Sequence, residues 1–105
     1  MRNLSPEQVK QLLDIKPQTI LLDVREKWEL EICQIASSLH IPMQNIPDSL
    51  EELDSEREIV VICHHGARSM QVASFLEQSG FSNIINLAGG VDAWAETVDP
   101  EMQRY

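Results

Sequence analysis

Basic residues are scarce: eight Lys and Arg stand against 17 Asp and Glu, a formal net charge of -9 over 105 residues. A surface of that sign repels a phosphate backbone and an anionic bilayer alike, so nucleic-acid and membrane partners are excluded. No apolar run approaches the ~20 residues of a membrane span, and Met1-Arg2-Asn3-Leu4-Ser5-Pro6 leads straight into a helix signal with no signal-peptide core. The expected location is therefore the cytoplasm. Only two cysteines occur, Cys33 and Cys63, in unrelated contexts and without a CxxC motif. That excludes a disulfide framework and leaves one of the two to carry chemistry. Four glycines and five prolines are too few for a low-complexity linker, and there is no internal repeat. A single domain over residues 1–105 is expected, large enough to bury a core without metal or disulfide staples. Residues 98–105 form a tail with no periodic signal.

What the chain does have is punctuated apolar runs. Ser5-Pro6-Glu7-Gln8 combines an N-cap, a proline at the first helical position and a partial capping box, and Val9, Leu12 and Leu13 continue a helical stripe. Residues 19–24, broken near the end by Asp23, and 59–63 are apolar and partly β-branched without polar alternation, the pattern of strands buried on both faces, and residues 83–87 read as a third buried strand. Residues 39–42 read as a short strand stopped by Pro42. Helices are expected over residues 26–32, 46–53, 67–79 and about 92–96, and the acidic cluster Asp48, Glu51, Glu52, Asp54, Glu56 and Glu58 reads as a solvated face. Strands alternating with helices imply an α/β fold with a parallel sheet covered on both sides. Ligands in such folds bind beyond the carboxyl ends of the strands, where Asp23, Cys63 and Leu87-Ala88-Gly89-Gly90 fall.

The strongest local signal is Val61-Ile62-Cys63-His64-His65-Gly66-Ala67-Arg68-Ser69: a cysteine ends a buried strand, a short loop with a glycine follows, and an arginine opens a helix. Amides of such a loop can converge above the sulfur and form an anion-binding nest backed by the positive helix end. A thiolate placed there is stabilised, so a nucleophile at Cys63 needs no dedicated base. The competing reading of Cys63 as a small buried strand residue is weakened by the glycine and arginine at nest-forming spacing.

The chain resembles the rhodanese-like sulfurtransferases over nearly its whole length. Asp23-Val24-Arg25-Glu26 resembles the first signature of that family, Ile41-Pro42 its short strand ending, residues 63–69 its active loop, and Leu87-Ala88-Gly89-Gly90 with Trp94 its last motif. The resemblance implies a central parallel five-stranded β-sheet flanked by α-helices on both faces, with Leu4 and its neighbours adding a short first strand. It also implies transfer of a sulfane sulfur from thiosulfate or a persulfide to cyanide, a thiol or a protein through a Cys63 persulfide, with no cofactor. Four residues separate Cys63 from Arg68, as in the sulfurtransferases, whereas related phosphatases and arsenate reductases carry longer loops. A non-catalytic interaction module of the same family usually lacks the cysteine. One departure is present: the family's Gly-His-Ile-x-Gly-Ala is here Cys33-Gln34-Ile35-Ala36-Ser37-Ser38.

The remaining residues fall into place around that loop. His64 and His65 are not expected to bind metal, because consecutive side chains diverge and no second Cys or His cluster completes a site. Their amides, with those of Gly66, Ala67, Arg68 and Ser69, are expected in the substrate-binding loop, and partial protonation of their rings would favour an anionic donor. An arginine in the first turn opposes the helix dipole, so Arg68 is expected to pair with Asp23, supported by Arg25, or to contact substrate directly. Gly89-Gly90 marks a turn or a close backbone approach. Trp28 and Trp94 read as rim or core packing, Met70 as a pocket or core residue, His40 as a satisfied strand histidine and Cys33 as inert. Partners are expected to be small sulfur donors and thiol or protein acceptors, with the chain itself a monomer or weak homodimer.

Overall fold

The three apolar runs become the centre of one parallel sheet. The computed structural model describes all 105 residues, Met1–Tyr105. Its elements are β1 (Arg2–Leu4), α1 (Pro6–Ile15), β2 (Ile20–Asp23), α2 (Lys27–Ile32), β3 (Leu39–His40), β4 (Ile59–Ile62), α3 (Ala67–Gln78), β5 (Ile84–Leu87) and α4 (Gly90–Thr97), with 3-10 turns at Met43–Asp48 and Leu50–Glu52. The five strands lie in the order β1-β5-β4-β2-β3, and every pairing is parallel. No helix is long and apolar enough to cross a membrane.

Successive strand residues point to opposite faces, which explains runs without polar alternation. On one face Leu22, Ile59, Val61 and Cys63 join Val72, Ala73 and Leu76 of α3 and Ile46 of the 3-10 turn. On the other, Leu21, Val60, Ile62, Ile85 and Leu87 join Val9 of α1 and Val91 and Trp94 of α4. Cys63 is thus the next inward position of β4, 1% exposed, and it belongs to the α3 side. The capping box of α1 is complete: the Gln8 N–H donates to Ser5 Oγ at 3.2 Å and the Ser5 N–H to Gln8 Oε1 at 2.9 Å.

Three local expectations are corrected. The helix expected over residues 46–53 is a pair of 3-10 turns beginning at Met43, closed by short-range bonds such as Asn45 N–H to Pro42 O and Ser49 N–H to Ile46 O. Pro47, which has no N–H to give, sits inside the first. Glu58 does not belong to a solvated face, because Lys16 and Arg2 both pair with it and leave its side chain 14% exposed. Helix α4 starts at Gly90, two residues before the expected start, because Gly89 caps it in a left-handed conformation.

The departure over residues 33–38 keeps the turn at a cost. Ser37, where the family carries glycine, adopts φ of 68°, and it is the one non-glycine residue with positive φ. Ile35 is buried there, and its carbonyl accepts from the Ser38 N–H and hydroxyl at 3.3 and 2.7 Å.

Candidate active site

The carboxyl ends of β2, β4 and β5 converge on the loop between Ile62 and Ala67. Two forces hold this loop. From below, the first amides of α4 seize its carbonyls: the Val91 N–H donates to Cys63 O at 2.9 Å and the Asp92 N–H to His64 O at 3.1 Å. A Cβ on Gly90 would lie 2.4 Å from Cys63 O and 2.3 Å from His64 O, so only glycine permits that approach. From the side, Asn86 Nδ2 donates to Gly66 O at 3.5 Å, and Ser69 Oγ lies 3.2 Å from the same oxygen. With its carbonyls turned outward, the loop keeps its amides free: the N–H groups of His64, His65, Ala67, Arg68 and Ser69 meet no acceptor within the protein. The Gly66 N–H donates to Cys63 Sγ at 3.0 Å.

Helix α3 begins immediately after Gly66 and has no side-chain cap, so its positive end faces the loop with its donors unused. The Cys63 thiol lies 3.3 Å from Ser69 Oγ. The Ser69 hydroxyl in turn donates to Asn86 Oδ1, and Asn86 Nδ2 donates to Asn3 Oδ1 at 2.9 Å. Ser69 and Asn86 are both buried. Neither Asn86 nor Asn3 was anticipated, although a polar residue inside the apolar run Ile84-Ile85-Asn86-Leu87 was a signal for the first. Beside the loop, Asn3, His65, Gly66, Ala67, Met70, Asn86, Ala88 and Gly89 line an open depression of about 410 Å³.

The charged support differs from expectation. Arg68 does not pair with Asp23. Its two terminal nitrogens each donate to Glu29 of α2, both at 2.8 Å, in a bidentate pair. Asp23 is already committed to Arg25, which donates from Nε at 2.9 Å and Nη2 at 2.8 Å. The reason is local: two residues apart at the end of β2, Asp23 also takes the Arg25 N–H at 3.1 Å, so turn and ion pair close together. Both side chains are fully buried. Burial alone would lower the Arg25 pKa, but the hydrogen bonds to Asp23 and Tyr105 outweigh it and leave the group above its ordinary value. Hydrogen bonds from Arg68 hold Glu29 down at about 2, against the pull of its burial.

Tyr105, in the stretch without sequence periodicity, joins the two pairs. It accepts from Arg25 Nη1 at 2.8 Å and donates to Glu29 Oε1 at 2.8 Å, and burial pushes its phenol up to about 12. Its ring stacks on His64 at 3.8 Å, and His65 stacks on the other face of His64 at 3.8 Å, so these consecutive side chains do not diverge as expected. Burial and the neighbouring His65 lower the pKa of His64, so His64 does not supply the rim charge expected of it. His65 is exposed, with Nδ1 3.9 Å from Asp92. Trp94 is buried, and Trp28, 59% exposed, meets Tyr105 edge-on. The His40 Nε2 lies 2.7 Å from Arg25 O. Cys33 is half-buried, with its carbonyl accepting from Arg25 Nη2 at 2.7 Å.

A cysteine at a strand end, in a loop of free amides under a helix N-terminus, is a device for binding and stabilising an anion formed on sulfur. Known proteins are similar to this chain over most of its length. The rhodanese-like domain family matches residues 5–97. A Bacillus subtilis protein named as a candidate sulfurtransferase, YtwF, is 35% identical over 101 residues, covering 96% of this chain and 97% of its own. The thiosulfate sulfurtransferase GlpE of Pseudomonas syringae is 32% identical, covering 95% of this chain and 92% of its own. A rhodanese-related protein from Thermoplasma volcanium superposes with a TM-score of 0.84 at 32% identity, covering 93% of this chain and 94% of that one. Strand order, cysteine loop and relatives together place the chain in the rhodanese-like family of sulfurtransferases.

Proposed function

We propose that the protein moves a sulfane sulfur from thiosulfate or a persulfide to a thiophilic acceptor, be it cyanide, a small thiol or a protein, by way of a persulfide on Cys63. The observation that carries this reading is the Cys63 sulfur receiving the Gly66 amide beneath five uncommitted loop amides and an uncapped helix start. In the first half-reaction the thiolate attacks the outer sulfur of the donor. A bond forms between Sγ and that sulfur, and the donor's S–S bond breaks, its electron pair leaving on sulfite or on a thiolate. In the second, the acceptor attacks the terminal sulfur and Cys63 departs as thiolate, which predicts ping-pong kinetics. The free amides stabilise the anionic persulfide between the two steps, as oxyanion donors do for a tetrahedral intermediate. Both cysteines are free thiols, in keeping with a reducing compartment such as the cytoplasm.

The test is peptide mass spectrometry after incubation with thiosulfate, alongside turnover to thiocyanate. One added sulfur is expected on the Cys63 peptide, removable by cyanide or dithiothreitol. Cys63→Ser abolishes adduct and turnover, and Cys33→Ala retains both. Turnover that vanishes in folded Cys33→Ala refutes the single-cysteine mechanism. Aryl-phosphate hydrolysis faster than sulfur transfer refutes the reaction class.

A further inference from the structure

The site offers a donor many amides but little free positive charge. Arg68 is the cation nearest the cysteine loop in sequence, and both arms of its fork rest on Glu29 at 2.8 Å. Arg25 is closed off by Asp23 and is fully buried. On the other flank, Arg104 spends Nε and Nη2 on Asp92, at 2.9 and 3.1 Å, and the same carboxylate faces His65. His64 is packed between His65 and Tyr105, and its Nε2 is buried without a partner. Each of the three arginines therefore holds a carboxylate, within a chain of net charge -9.

Thiosulfate is a dianion whose second charge sits on the sulfonate next to the reacting sulfur. Transfer from it releases sulfite beside a newly anionic persulfide, so charge crowds at the loop. An organic persulfide, R–S–SH, brings at most one charge to the same point. When the Cys63 thiolate attacks its outer sulfur, the Sγ–S bond forms and the donor S–S bond breaks. R–S⁻ leaves with the electron pair and takes up a proton. Resting on the reading of Cys63 as the sulfur carrier, we propose that Glu29 selects the donor: by occupying both arms of Arg68 it withholds the cation a dianionic sulfonate needs, and the preferred donor is an organic persulfide.

Glu29 is well placed for that role. Its side chain is 3% exposed while that of Arg68 is 36% exposed, so the carboxylate lies behind the guanidinium rather than in the path of a donor. It is also held from two other directions, by the Glu26 N–H at 2.8 Å and the Tyr105 hydroxyl at 2.8 Å. A donor that recruits Arg68 must therefore compete with a fixed, charge-assisted bidentate partner. Glu29 is in this sense a specificity-determining residue that acts through Arg68.

The experiment measures kcat/KM with thiosulfate and with N-acetylcysteamine persulfide, a donor charged only at its terminal sulfur. Cyanide is the common acceptor, and the background rate with Cys63→Ser is subtracted. Wild type is expected to favour the persulfide. Glu29→Gln is expected to shift the ratio toward thiosulfate by about fivefold, the size of one partly exposed charge pair. The shift falls in the thiosulfate KM rather than in kcat. Taking the ratio cancels any general damage to the loop, which a merely structural Glu29 would produce equally for both donors. If Glu29→Gln does not fold, the wild type decides alone: rising ionic strength lowers the thiosulfate KM by screening repulsion, and lowers the KM of the singly charged persulfide less. A wild type that favours thiosulfate, an unchanged donor ratio in folded Glu29→Gln, or a thiosulfate KM that rises with salt overturns the proposal while leaving Cys63 as the carrier. No thiocyanate from either donor overturns the sulfurtransferase reading itself, and the donor preference with it.

Discussion

Gly90→Ala tests whether the start of α4 is what shapes the cysteine loop. The new methyl carbon would stand 2.3 Å from His64 O, 2.4 Å from Cys63 O and 2.5 Å from the His64 carbonyl carbon, all backbone atoms that cannot swing aside. Relief requires the loop and the helix to separate, which breaks the Val91-to-Cys63 and Asp92-to-His64 hydrogen bonds at about 1 kcal/mol each. The residue also keeps φ of 62°, which costs a non-glycine residue roughly 1–2 kcal/mol. The sum is about 3–4 kcal/mol, or a fall in Tm of about 15 °C for a chain of this size. Gly80→Ala is the matched control. It has φ of 97° but nothing within 4 Å of its added carbon, so only the backbone strain remains, roughly 1–2 kcal/mol and about 5–8 °C. Calorimetry gives the two Tm values, and sulfur loading on Cys63 reports the loop. Gly90→Ala is expected to lose most of its loading even where it stays folded, and Gly80→Ala to load normally. Equal Tm losses for the two variants, or full loading in Gly90→Ala, would refute the argument that this close approach forms the nest.

Two further outcomes follow from strain and charge. Ser37→Gly relieves a φ of 68° worth roughly 1–2 kcal/mol and loses some of that gain to the freer unfolded chain, so the unfolding free energy from urea titration should rise by about 0.5–1 kcal/mol; a fall would show that the serine is not strained. Glu29 has a carboxyl held down at about 2 from an ordinary 4.5, and a lowered pKa contributes stability that is complete above the unfolded value and is lost as pH falls toward the folded one. The stability gap between wild type and Glu29→Gln should therefore be constant above about pH 5 and close between pH 4.5 and 2; a gap independent of pH would show that the carboxylate is not what Arg68 holds.

Features encoded within a few residues were legible in the sequence. The Ser5 capping box, the apolar strands and the cysteine, glycine and arginine of the loop all appear in the structure where their spacing put them. The partner of Arg68 was not, because it depends on which carboxylates are already engaged. Asp23 looked available at a neighbouring strand end, but the closure of Arg25 on it two residues away removes it. Glu29 is four residues beyond Arg25, on a helix read only for its length, and 39 residues from Arg68. Tyr105 was still less accessible: it meets Arg25 across 80 residues and Glu29 across 76, and no periodicity announces a single anchored side chain.

The clamps on the cysteine loop have a further consequence, one of timing. Cys63 is made before nearly everything that fixes its surroundings: Asn86, the amides of Val91 and Asp92, and finally Tyr105. At ordinary synthesis rates of about 5–20 residues per second, the stretch from Cys63 to Asp92 takes roughly 1.5–6 s. β1 waits as well, because its one neighbour in the sheet is β5. Until those residues are made and packed, the loop carbonyls of Cys63 and His64 lack the amides that hold them, so the loop cannot be fixed in its final shape before the last third of the chain is in place. The shape of the cysteine loop is thus completed from the C-terminal side, by the start of α4 and the end of β5.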